Sequence, residues 1–166
     1  MTRVPSRTRP RAGFSLIEVA ISSILVGSIL VAALSTTGAV LRFRSSTSDQ
    51  SRATLLATDL LAEIQGRAYA DPDQTPGFGR ESGETVRSQF DDVDDYGALT
   101  ESPPKNLAGT ALAGFTGWTR SVTVARAQRN SPMQTAAGDE GLKRITVVVT
   151  KNGVTLRTVD ALRANY

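Results

Sequence analysis

The chain has 166 residues, 40% hydrophobic and 21% charged, with a formal net charge of +3, no cysteine and no histidine. Without cysteine there is no disulfide framework or thiolate metal site, and without histidine the commonest general base and zinc ligand are missing. The basic balance is local: Arg3, Arg7, Arg9 and Arg11 precede Gly13, and the rest holds 15 basic against 16 acidic residues, a net of −1. That pattern fits a topology signal rather than a nucleic-acid-binding surface.

Residues 1–13, MTRVPSRTRPRAG, are polar, basic and proline-containing, and no stable structure is expected of them. From Val19 to Leu41 no residue is charged. As a helix that stretch is about 34 Å long, enough to cross a hydrocarbon core of about 30 Å. Ser22, Ser23, Gly27, Thr36, Thr37 and Gly38 lower its hydropathy without abolishing it. Arginines lie on both sides, four before it and Arg42 and Arg44 after it. The positive-inside rule then places the N-terminus in the cytoplasm and everything after Arg44 outside it.

After the polar RSSTSDQS, the run RATLLATDLLAEIQGRA places Ala53, Leu56, Ala57, Leu60 and Ile64 on one helical face. Glu63 and Arg67 are spaced for an i,i+4 ion pair. With no proline between Arg11 and Pro72, one helix from about Phe14 to Arg67 is expected, membrane-embedded first and amphipathic second. The competing reading is two helices broken around Ser45–Ser48. Residues 70–117 are rich in Gly, Pro and Asp and read as long loops with short elements at best. Regular structure resumes at Trp118. WTRSVTVARA puts Trp118, Val122 and Val124 on one side, LKRITVVVT does the same for Ile145, Val147 and Val149, and KNGVTLRTVDAL supplies another strand. Asn152-Gly153 between two β-rich runs signals a hairpin. The expected fold class is α+β: a long N-terminal helix packed on a small C-terminal antiparallel sheet of three strands. The divisions are 1–13, 14–44, 45–69, 70–117 and 118–166.

GFSLIEV, Gly13 to Val19, resembles the processing signal of type IV pilins and of the pseudopilins of type II secretion. A basic leader, a glycine, a phenylalanine, a small hydroxyl residue, two aliphatics and a glutamate stand in the family's order. The likeness covers about the first 50 residues, and the layout of helix, loop and sheet also resembles the family. It implies a pilin-like fold and cleavage between Gly13 and Phe14 by a prepilin peptidase, with N-methylation of Phe14. Glu18 would then assist assembly with other pilin or pseudopilin subunits at an inner-membrane assembly platform. Before assembly the protein would sit in membrane lipid as a single-pass inner-membrane protein with its head outside the cytoplasm, and afterwards in a pilus or pseudopilus. The residues also admit an ordinary secretory signal cut near Ala33, or a plain anchor. Against the first, the apolar run is longer than the usual 7–15 residues; neither requires Gly-Phe or the acid.

Many major pilins carry a proline in the membrane helix and a C-terminal disulfide; this chain has neither. The resemblance therefore favours a minor pilin or pseudopilin. The stretch FDDVDDYGAL is similar to a loop of minor pilin-like proteins, and its Asp91, Asp92, Asp94 and Asp95 are candidate calcium ligands, since calcium takes oxygen donors. A charged, exposed loop is the simpler account of the same residues. Tyr96, Phe115 and Trp118 are core candidates before they are a ligand surface. Arg126, Arg129, Lys143 and Arg144 are candidate DNA contacts without forming a continuous basic stripe. No catalytic residue is assigned: there is no histidine, no cysteine and no G-x-S-x-G motif. The alternative function is a pilus-tip subunit recognising DNA, a surface or an exported protein.

Overall fold

A computed structural model describes residues 13–72 and 77–165. The chain is α+β, with helix α1 (Leu16–Gln65) followed by strands β1 (Thr100–Glu101), β2 (Trp118–Gln128), β3 (Ser131–Thr135), β4 (Leu142–Lys151) and β5 (Val154–Ala164). Helical backbone continues through 45–48, where a break was the competing expectation. Contacts divide the chain after Ser45 into two units.

In the first unit, Leu16–Thr37 is a 22-residue segment of mean hydropathy 2.3, long and apolar enough to cross a membrane. Five of its hydroxyl residues bond the helix's own carbonyls. Ser23 donates to the Val19 carbonyl, Ser28 to Leu25, Ser35 to Val31, Thr36 to Ala32 and Thr37 to Ala33, at 2.8–3.0 Å. Each donor is thus satisfied within its own helix, as a hydrocarbon environment demands.

In the second unit, the helical stripe Ala53, Leu56, Ala57, Leu60 and Ile64 is buried, as its spacing predicts. So are Trp118, Val122 and Val124 of β2, and Ile145, Val147 and Val149 of β4. These residues form one hydrophobic cluster together with Phe90, Val93 and Tyr96. Strand alternation explains the sheet half of that core, because every second side chain of a strand points to one face.

The sheet has five strands rather than three, ordered β1-β2-β4-β5, with β3 paired to the end of β2. All pairings are antiparallel. The β4–β5 hairpin turns at Asn152 and Gly153, at φ 50° and 80°, as the Asn-Gly signal requires. The extra strands are short pieces. β1 is two residues inside the expected loop region, and β3 follows a turn at Arg129–Asn130 in a stretch too polar to suggest a strand. Residues 70–117 also contribute to the core: Phe90 packs edge-on against Tyr96 at 5.1 Å, while Phe115 meets Trp118 at 5.4 Å. The expected Glu63–Arg67 pair is replaced by a shared partner. The Tyr96 hydroxyl donates to Glu63 at 2.8 Å and accepts from Arg67 Nε at 3.3 Å.

Leu60→Ala should destabilise the second unit by about 2–5 kcal/mol, whereas Leu55→Ala, at a side chain 68% exposed, should change stability by under about 0.5 kcal/mol. Denaturant unfolding of the full-length protein in detergent, followed by fluorescence of its single tryptophan, Trp118, measures both.

Candidate functional site

Two places carry the candidate residues: the start of α1, and the aspartate-rich loop with the strands beneath it. At the start of α1, Gly13, Phe14 and Ser15 are non-helical and exposed. The Ser15 carbonyl accepts the amides of Glu18 and Val19 at 3.0 and 3.1 Å, so Ser15 stands at the helix cap. Ser15-Leu16-Ile17-Glu18 therefore has the S-x-x-E spacing of a capping box. Glu18 lies in the first turn, where the helix dipole favours a negative charge. Phe14 is 82% exposed, and no atom lies within 4 Å of a Cβ built on Gly13. Gly13 and Phe14 are thus both exposed among the described residues. The basic leader, residues 1–12, lies outside the described residues, as do the side chains of Arg42 and Arg44.

The aspartate-rich loop is not an exposed charged loop. Asp92, Asp94 and Asp95 are buried, and only Asp91 is exposed. Their oxygens bind the loop's own backbone. Asp92 Oδ1 accepts the amides of Asp94 and Asp95, at 2.7 and 3.2 Å. Asp95 Oδ2 accepts those of Asp91 and Asp92, at 3.0 and 3.1 Å. Asp94 Oδ2 accepts the Gly79 amide at 2.9 Å, and its Oδ1 meets the Lys143 ammonium. Among the described residues no three of the four aspartates converge. The carboxylates that do are Glu81, Glu84 and Asp95, with one oxygen from each within 4.8 Å of the others. Glu81 and Glu84 carried no motif that marks them in the sequence.

The loop closes on the strands through cations placed on the buried face. Arg120 alternates with Trp118, Val122 and Val124, and Lys143 with Ile145, Val147 and Val149. Both are buried. Arg120 stands directly opposite Glu101 of β1 and binds Glu101 Oε2 at 2.7 Å, the Lys105 carbonyl at 2.8 Å and the Leu56 carbonyl at 3.1 Å. Glu101 Oε1 also takes Arg87 at 2.6 Å. Arg87 Nε in turn lies 3.1 Å from Glu63 of α1, close enough for an ion pair but misaligned for a hydrogen bond. Sheet, loop and helix are joined by this chain of charges.

Lys143 stands between Arg126 and Arg163 in the cross-strand register. Like charges side by side repel, and Asp94 supplies the neutralising charge to Lys143. The Tyr69 carbonyl accepts a second bond from Lys143, and the Tyr69 hydroxyl donates to Asp139. That bond holds the Asp139 carboxyl below the usual carboxylate range. Burial, then the Asp94 charge, pushes Asp92 up to about 7. Burial, then the hydrogen bond to Glu63, pushes the Tyr96 hydroxyl up to about 12.

All four candidate DNA contacts are engaged within the chain, Arg126 by lying over the Phe78 ring at 4.9 Å. Arg129 binds the Glu140 carbonyl at 2.9 Å, Arg144 donates to Met133, and Lys143 is buried. Tyr96 and Trp118 belong to the core rather than to a ligand surface. Comparison with known proteins finds no matching family model, no matching curated protein and no matching solved structure.

Glu101→Ala should cost about 3–5 kcal/mol, because it strands Arg120 and Arg87 without their shared carboxylate. Asp59→Ala, whose carboxylate is 3.9 Å from Arg120 but 81% exposed, should cost under about 1 kcal/mol. Urea unfolding of the full-length variants in detergent checks both, and similar losses for the two would contradict the burial argument.

Proposed function

We propose that the chain is a pilin-like structural subunit, a minor pilin or pseudopilin anchored by α1 and assembled into an extracytoplasmic filament. What carries the reading is the exposed Gly13–Phe14 bond, set directly before a membrane-length helix with Glu18 in its first turn. The fold is compatible with it: an apolar helical segment, an amphipathic one, and an antiparallel sheet that buries the latter's stripe.

In this reading a prepilin peptidase cuts after Gly13, whose missing side chain lets extended backbone enter a protease cleft. The cut creates an ammonium at Phe14, which is then N-methylated. An uncompensated carboxylate at the bilayer centre costs about 2.5–3.5 kcal/mol on insertion scales, and less at the shallow position of Glu18. Pairing Glu18 with the Phe14 ammonium of a neighbouring subunit offsets part of that cost and sets the axial register between subunits. Capping and the helix dipole also favour Glu18 in an isolated chain, so the assembly role needs its own test.

N-terminal mass spectrometry of the protein from its own cells should find N-methyl-phenylalanine, Phe14, as the first residue. An intact Met1, or a start near Ala33, would refute the assignment. Glu18→Ala should be cut normally and yet fail to enter filaments; Glu18→Gln, which keeps the side chain's shape but not its charge, should fail likewise. Filament entry by Glu18→Gln at the wild-type level would refute the ion pair with Phe14.

A further inference from the structure

We propose that Lys143 and Asp94 condense to an amide, which ties the aspartate-rich loop covalently to β4. This inference does not depend on the filament reading.

The two groups meet where water is excluded. Lys143 and Asp94 are each 4% exposed, and the Lys143 nitrogen is in direct contact with Asp94 Oδ1. The rings of Tyr69 and Phe78 have their centres 4.6 and 5.6 Å from that nitrogen. Reacting groups held in the right geometry behave as if at about 10⁵–10⁸ M. Condensation releases water, and a closed apolar site keeps water from reversing it.

The surroundings supply each part of the reaction. Lys143 is buried and stands between Arg126 and Arg163 in the cross-strand register. Burial and cationic neighbours are the settings in which a lysine amine acts as a nucleophile. The Tyr69 carbonyl also accepts from Lys143, which fixes the nitrogen against the carboxyl. On the other side, Asp94 Oδ2 accepts the Gly79 amide at 2.9 Å. A backbone donor there stabilises the negative charge that develops on oxygen when an amine adds to Cγ. Asp92 is the proton carrier. Its Oδ1 accepts the Asp94 amide at 2.7 Å, and it lies close enough to feel the charges of both Asp94 and Lys143. Burial, then the Asp94 charge, pushes it up to about 7. A carboxyl poised near neutrality both takes and returns a proton.

The step balances within the pair. Moving one proton from Nζ to Oδ1 makes the amine neutral and the carboxyl an electrophile. The Nζ–Cγ bond forms, and Asp92 carries a second proton from nitrogen to the departing oxygen. The Cγ–Oδ1 bond then breaks, and Oδ1 leaves as water with two of the three ammonium protons. The third stays on the amide nitrogen, and Asp92 ends as it began. The pair is neutral in sum before and after, so no oxidant, reductant or co-reactant is needed. The Arg120–Glu101 clamp stays ionic, because a guanidinium keeps its charge. In a chain without cysteine, the amide closes a loop as a disulfide would.

The test is tandem mass spectrometry of a tryptic digest of the full-length protein, purified in detergent. Residues 88–105 should be found joined to residues 130–144 with the loss of one water, uncut after Lys143, and fragment ions should place the link between Lys143 and Asp94. Cleavage after Lys143 with full recovery of unjoined 88–105 would overturn the proposal, and so would a link to another carboxylate. Lys143→Arg, which keeps the charge but not the amine, should abolish the joined peptide. Asp92→Asn, whose Oδ1 still accepts the Asp94 and Asp95 amides, should slow joining about a hundredfold or more. Native Trp118 fluorescence in that variant separates lost chemistry from lost folding. Joining at the parent's rate in Asp92→Asn would refute the proton-carrier role. None of these readouts depends on N-terminal processing.

Discussion

A guanidinium on the apolar face of a central strand constrains the second unit more than any other single feature. Arg120 occupies a position that alternation reserves for the core, and it is 1% exposed. Removing an unpaired charge from water costs several kcal/mol even after relaxation. The strand can sit against α1 only if a carboxylate arrives from elsewhere. Glu101 arrives on β1, and its other oxygen takes Arg87, which reaches Glu63 on the helix. The apolar stripe and the sheet supply the hydrophobic driving force. The charge chain selects where the intervening loop must lie.

The same logic repeats one strand over. Lys143 takes a core-face position on β4, and its carboxylate, Asp94, comes from the same loop. This accounts for the aspartate density that reads from sequence as an exposed loop or a metal site. Asp94 neutralises a strand cation, while Asp92 and Asp95 cap the turn that presents it. The loop is structured by what it must deliver.

That division explains what could be read in advance. The helical stripe, the two central strands and the Asn152-Gly153 hairpin follow from local periods and turn chemistry, which need no knowledge of distant residues. The pairing of Glu101 with Arg120 is a long-range fact carried by a two-residue strand, with no period to detect. Even so, Arg120 and Lys143 were visible as cations on apolar faces, and each implied a buried carboxylate. Reading Lys143 with Arg126, Arg129 and Arg144 as a surface group hid that implication. Glu81 and Glu84 are legible only once the loop has folded. At the start of α1 the S-x-x-E spacing from Ser15 to Glu18 is local, and so it is legible in the sequence.

The absence of cysteine gives the ionic contacts their weight. No disulfide fastens the segment between Gly66 and Trp118 to the helix or the sheet. A disulfide acts mainly by restricting the unfolded chain, so it stabilises before any packing is complete. A buried ion pair does the opposite: it is worth little until both groups are desolvated and fully hydrogen-bonded, and half-made it is a penalty. Arg120 meets that condition through Glu101 and the carbonyls of Leu56 and Lys105; Lys143 meets it through Asp94 and the carbonyl of Tyr69. The loop should therefore close cooperatively, with the two clamps forming as the core excludes water. A partly closed loop, with Arg120 or Lys143 buried and unpaired, is the arrangement that this chemistry disfavours most.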